Sequence, residues 1–471
     1  MPADDAATTS DLDLLRGAAE LAIAYVASID NRNAAPTPGA IAALTALDGV
    51  LPDAPTSAGE TLALLADIGG PATMGSTGAD YFGFVNGGTL PVALGASMIV
   101  NAWDQNAALP VMSPVAARVH DITQRWLNEL LGLPAHTDVA FVTGATVANA
   151  SCLAAARDAL LFDHSWDVQR DGLFGAPQIT VIIGDKAHST LRKSLGLVGL
   201  GRERVTIVPA DDQGRMRADL MPDPGSIEGP ALVCAQAGEV NTGAFDPFEP
   251  LADWVIEQGS AWLHVDGAFG LWALADPTRS DLVRGLKRAD SLATDAHKWL
   301  NVTYDCGIAF VTRPTALRRT FAAVADYLPP DEGFEAMHHT PQSSQRARQI
   351  EVWAVLRTLG RSGVADLVQR ASACARLIAE ELRVDGFEIL NDVVLNQVLV
   401  RYRDPEATGR LIAEIQRDGR IWCGATQWNG ATAMRISVSS WKTDLDAAHH
   451  AADVIMACAA AVALQPEDHQ H

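Results

Sequence analysis

The chain has 471 residues, 48% of them hydrophobic and 20% charged. It is too apolar for a disordered chain and lacks the glycine period of collagen. Lys and Arg total 35 against 57 Asp and Glu, a formal net charge of −22. Such a surface repels phosphate backbones and anionic lipids, which argues against nucleic-acid and membrane partners.

The acidic N-terminus, Met1 to Asp13, has no basic segment ahead of an apolar run, so it does not read as a signal peptide. Apolar residues at helical spacing from Leu14 to Val26 predict a helix over 11–31. Breaks at 31–38 and 69–90 delimit an N-terminal helical arm, residues 1–80. From about residue 115, short apolar strands alternate with helices. The strands are expected at 139–142, 180–183, 205–208, 231–234, 262–265, 291–294 and 308–311, and helices at 147–161, 190–198 and 250–258. Continuous apolar strands between helices predict an α/β domain, residues 81–355, built on a mostly parallel sheet covered on both faces. A helix at 364–382, alternating strands at 393–402 and 434–438 and a closing helix at 445–463 predict a smaller C-terminal α+β domain, residues 356–471. No apolar run reaches the ~18 residues of a membrane span. Six scattered cysteines without a CxxC pair lack zinc spacing and read as reduced core thiols of a cytoplasmic protein. Gln470-His471 reads as a frayed end.

In open parallel sheets, ligands bind outside the carboxyl ends of the strands. After the strand at 139–142, Gly144, Ala145 and Thr146 open a helix, either as an anion cradle or as an ordinary turn with Thr146 as N-cap. His188 follows the strand at 180–183, as a ligand-facing ring or as a partner for a turn carbonyl. Asp266, ahead of Gly267 and Ala268, faces a cationic nitrogen or caps the next turn. His297 and Lys298 stand side by side after the strand at 291–294, either as solvated turn residues or, with the Lys partly desolvated, as an amine nucleophile beside an imidazole. An amine, an anion cradle, a flat ring and a carboxylate on successive strand ends are the four contacts of pyridoxal phosphate.

The stretches FVTGATVAN (141–149), AHS (187–189), GAFDP (243–247), HVDGAFG (264–270) and HKWLNVTYDCG (297–307) resemble the group II pyridoxal-phosphate-dependent amino acid decarboxylases, relatives of aromatic amino acid, glutamate and sulfinoalanine decarboxylase. The resemblance runs from about residue 80 to 455. It implies the fold-type I architecture, with a seven-stranded sheet in the large domain. It also implies a homodimer with each active site at the subunit interface, to which Trp103, Asp104, Gln105 and Asn106 contribute. Lys298 is then the residue that carries pyridoxal 5′-phosphate as an aldimine. Asp266 pairs with the ring nitrogen and His188 stacks on the ring. Gly144, Ala145, Thr146 and His297 hold the phosphate, with Ala268 beside them, and Phe82 and Phe84 line the substrate pocket. The implied reaction decarboxylates an L-amino acid to an amine.

Three features depart from the family pattern. Gln236 to Val240 replaces a Thr-x-Gly-Thr-Thr stretch. Asp295 stands where relatives have Asn, and would repel the phosphate unless paired or protonated. The loop at about 329–345 has no Tyr to protonate Cα, which leaves His338 and His339 as donors. The alternatives are an aldehyde-forming decarboxylase, an aldolase-type lyase, an aminotransferase, or a cofactor-free relic acting as a binding protein.

Overall fold

The computed structural model describes residues 10–323 and 335–464; the expectations for Met1 to Thr9, for loop positions 329–334 and for Gln470-His471 lie outside the described residues. Ser10 caps the first helix, Asp11–Ser28, by accepting from the Asp13 N–H at 3.2 Å. The predicted apolar stripe is present, but none of its residues is buried within one chain, and Leu12, Leu15 and Ile23 are each 64% exposed.

The central sheet has seven strands: β1 (Asp138–Val142), β2 (Thr180–Gly184), β3 (Thr206–Val208), β4 (Ala231–Gln236), β5 (Ala261–Asp266), β6 (Ser291–Asp295) and β7 (Gly307–Val311). Their order is β1-β7-β6-β5-β4-β2-β3. All pairs are parallel except those of β7, which runs against both neighbours because 296–306 returns the chain directly beside β6. Every residue of β5, β6 and β7 is buried, the pattern of strands covered on both faces. Helices Ala145–Asp163 and Ser189–Leu197 pack Cys152 and Leu195 against one face, and helix Phe248–Gln258 packs Phe248 and Leu251 against the other.

A second, antiparallel sheet holds β8 (Phe387–Ile389), β9 (Gln397–Tyr402), β10 (Gly424–Trp428) and β11 (Ala431–Ser437), in the order β10-β11-β9-β8. Sequence patterning misses β8 and β10. The first is three residues long, and the second, GATQW, carries no apolar run. The helical segment Arg348–Glu381 runs through the boundary expected at 355/356 and breaks instead at Gly360, whose φ of 62° interrupts the helix. Helix Leu445–Leu464 has the length and composition to cross a membrane, yet it packs Ala448, Ala451, Ile455 and Cys458 into the core.

Residues 81–90 tie the two sheets together. The Phe82 N–H donates to the Trp422 carbonyl at 2.8 Å, the Ser437 N–H donates to the Phe82 carbonyl at 3.0 Å, and the Leu90 N–H donates to the Asn301 carbonyl at 2.9 Å. Gly87 lies so close to the lysine turn that a Cβ there would sit 1.7 Å from the Lys298 carbonyl oxygen. Asn301, at φ 56°, completes the knot: Oδ1 accepts from the Gly88 and Trp441 N–H groups, and Nδ2 donates to the Trp299 and Ser439 carbonyls.

Candidate active site

The carboxyl ends of β1, β2, β4, β5 and β6 open onto one cavity of about 410 Å³, whose wall includes Gly144, Ala145, Thr146, His188, Asp266 and Lys298. Helix 145–163 starts with Gly144 at its N-cap and no capping side chain, so Thr146 lies within the first turn and is not the cap. Its first N–H groups form an anion cradle. Asp295, the last residue of β6, reaches it and accepts from the Ala145 N–H at 2.5 Å. Lys298 Nζ lies 3.0 Å from the other carboxylate oxygen, and His297 Nε2 lies 3.5 Å from the first. The Asp295 charge is thus paired within this chain, by the Lys298 amine and the first N–H of the helix.

His297 Nδ1 accepts from the Cys306 N–H at 3.0 Å, which leaves the ring proton on Nε2, facing Asp295. Tyr304 stacks on this ring at 4.3 Å between centroids. Burial holds the His297 pKa below the ordinary histidine value, opposed by Asp295. His188 is both cap and cavity wall: Nδ1 accepts from the Thr190 N–H at 3.3 Å while the ring borders the cavity. Burial lowers its pKa as well, opposed by Asp266. Gln236 fixes this residue from behind by accepting the His188 N–H at 3.0 Å.

Asp266 is buried at the end of β5. Oδ1 accepts from the Ala268 N–H at 3.1 Å and Oδ2 from Asn149 Nδ2 at 3.0 Å. Burial raises its pKa, and the nearby His188 and Lys298 oppose that rise. Glu239 serves its own turn, accepting from the Asn241 and Thr242 N–H groups at 2.7 and 2.8 Å, and does not border the cavity.

Phe84 borders the cavity and stacks on Trp422 at 5.2 Å between centroids, whereas Phe82 is buried in the core. His338 and His339 are also off this wall. His338 pairs with Glu335 at 3.0 Å and accepts from the Ala323 N–H, and His339 Nδ1 lies 3.0 Å from the Glu335 carbonyl. Sequence reasoning misses Arg435, whose guanidinium reaches the wall from β11, and Asn149. The signal for the first is a lone Arg inside the apolar alternation Met434-Arg435-Ile436, and for the second a polar residue one turn below the cradle on helix 145–163.

The uncapped helix start, the amine and the buried carboxylate on one cavity fit pyridoxal phosphate, whose phosphate, carbonyl carbon and ring nitrogen need those three groups. Residues 54–403 match the family described as the pyridoxal-dependent decarboxylase conserved domain. The acidic amino acid decarboxylase of Mus musculus is 28% identical over 344 residues, 70% of this chain and 60% of the relative. The cysteine sulfinic acid decarboxylase of Homo sapiens is 28% identical over 343 residues, 70% of this chain and 68% of the relative. The chain spans 60% to 64% of the length of the curated acidic amino acid decarboxylases it matches. Oryza sativa TDC, solved with PLP and tryptamine, shares the fold at a TM-score of 0.87 and 21% identity, over 98% of this chain and 99% of that one. The chain therefore belongs to the pyridoxal-dependent decarboxylase family, and its cofactor is pyridoxal 5′-phosphate.

Proposed function

We propose that the protein is a carboxy-lyase that converts an L-amino acid to its amine. The observation that carries this reading is the placement of Lys298, Asp266 and the uncapped start of helix 145–163 on one cavity. Bound pyridoxal phosphate supplies an electron sink for the pair released when the Cα–carboxylate bond breaks. Lys298 Nζ, on the cavity wall, is the amine that would hold the carbonyl carbon of the cofactor. Asp266 sets a fixed negative charge against the ring nitrogen. His188, with its Nδ1 engaged by Thr190, keeps its proton on Nε2 and covers the ring face. Arg435 receives an anionic group of the substrate, and Phe84, Val85, Val240 and Phe269 keep water from it. The acidic substrates named for the relatives suit such a guanidinium.

The test is incubation of the purified protein with each of the twenty amino acids and with cysteine sulfinate, following carbon dioxide, amine and aldehyde together. Carbon dioxide and amine in equal amounts are expected from one substrate or a few. Aldehyde without amine, or no carbon dioxide from any of them, overturns the reading.

The functional unit is a homodimer in this reading. Helix 11–28 leaves Leu12, Leu15 and Ile23 exposed, and helix Pro91–Trp103 leaves Met98, Ile99 and Trp103 exposed, an apolar surface that suits a second copy. The expected interface is on the obligate scale, above ~2,000 Å². Sedimentation at micromolar concentration is expected to give a dimer, and an active monomer there contradicts it. The six cysteines are free and buried, which supports a cytoplasmic setting.

A further inference from the structure

Behind Asp266 a file of polar side chains runs away from the cavity into the core. Asn149 Nδ2 lies 3.0 Å from Asp266 Oδ2. Asn149 Oδ1 lies 2.8 Å from His264 Nε2, and His264 Nδ1 lies 2.9 Å from Ser291 Oγ. Trp262 Nε1 lies 2.8 Å from the same hydroxyl. Asn149, His264, Ser291 and Trp262 are each fully buried.

The donors and acceptors in this file have one consistent direction. The Asp266 carboxylate only accepts, so Asn149 turns Nδ2 toward it and Oδ1 toward His264 Nε2; His264 Nδ1 then accepts the Ser291 hydroxyl proton, and Ser291 Oγ accepts from the Trp262 indole N–H. The His264 proton then sits on Nε2 and goes to Asn149 Oδ1. Burial pushes His264 down to about 3, so the ring stays neutral. Buried polar groups of this kind are costly unless all are satisfied, and here each has its partner. A purely structural file could end on any backbone carbonyl. This one ends on the carboxylate that faces the cavity.

We propose that His264 and Asn149 are positioning residues that fix the orientation and charge of Asp266 toward the ring nitrogen of the cofactor. The inference rests on the role given to Asp266 under Proposed function. It concerns only how this chain holds that residue.

The test compares the binding of pyridoxal phosphate with that of its analogue in which carbon replaces the ring nitrogen, by fluorescence titration of wild type, Asn149→Leu, His264→Leu and His264→Gln. Wild type is expected to prefer the nitrogen-bearing ring. Asn149→Leu and His264→Leu are expected to lose that preference by tenfold or more while binding the analogue as wild type does. His264→Gln, which keeps an N–H for Asn149, is expected to restore most of it. A general packing defect weakens both ligands alike, so equal weakening, or none, overturns the proposal. If the Leu variants do not fold, His264→Gln and Asn149→Ser decide it: the proposal stands only if the serine variant loses preference and the glutamine variant keeps it. Wild type binding both ligands alike removes the assignment of Asp266 itself, and the proposal falls with it.

Discussion

Replacing Lys298 by Ala is expected to abolish turnover and the covalent attachment of the cofactor. The Lys298 amine is partly shielded on the cavity wall and lies 3.0 Å from Asp295 Oδ2, and among the described residues no other Lys borders the cavity. Loss of a nucleophile that the rest of the site cannot replace lowers kcat on the order of 10⁴-fold or more. Removing the amine leaves the buried Asp295 carboxylate with the Ala145 N–H and His297 as its partners, so a lowered thermal midpoint is expected beside the loss of turnover. The checks are the visible absorption band, trapping by borohydride, and carbon dioxide release. Wild type is expected to be yellow, with cofactor retained through denaturation after borohydride treatment. The variant is expected to release its cofactor under the same treatment. A variant that traps cofactor and still releases carbon dioxide assigns the link to another residue.

Asp266→Asn is expected to cost on the order of 100-fold or more in kcat, because it removes a preorganised charge from a dry site. The geometry adds a second penalty. The two carboxylate oxygens of Asp266 accept from Asn149 Nδ2 and from the Ala268 N–H. An amide at this position must turn its own N–H group toward one of those donors and leave a buried group unpaired. That costs roughly 1–3 kcal/mol of stability. A lowered thermal midpoint is therefore expected together with the loss of rate, and KM is expected to change less than kcat. Near-wild-type turnover in this variant shows that the ring nitrogen has another partner.

The large sheet is legible in the sequence because its strands are short, continuous and apolar, and the turns that follow them carry unusual residues. Lys298, Asp266 and His188 stand out there since each lies within a few residues of a strand end, where local order and spatial position coincide. The pair Phe82 and Phe84 shows where this stops. In an extended segment, residues two apart point the same way. Phe84 and Val85 instead take φ of 54° and 60°, which breaks the alternation and sends only Phe84 to the cavity. Arg435 is hidden for a different reason: it reaches the site from β11 of the second sheet, and no local pattern near the strand ends reports on a residue so distant in sequence. Within its own chain His338 is held off the cavity wall by Glu335 and the Ala323 N–H.

Residues 81–90 have a mechanical consequence. At one end they are hydrogen-bonded to Trp422 and Ser437 of the second sheet and its approach, and at the other Gly87 lies against the Lys298 backbone, Gly88 against the Asn301 side chain, and the Leu90 N–H donates to the Asn301 carbonyl. A methyl group added at Gly87 would overlap the Lys298 carbonyl, and one at Gly88 would come within 2.8 Å of Ser440 Oγ. The segment is thus packed tightly at both ends. A rotation of the second sheet that changed the distance between Arg435 and the lysine turn would have to break the contacts of Gly87 with the Lys298 carbonyl and of Leu90 with the Asn301 carbonyl.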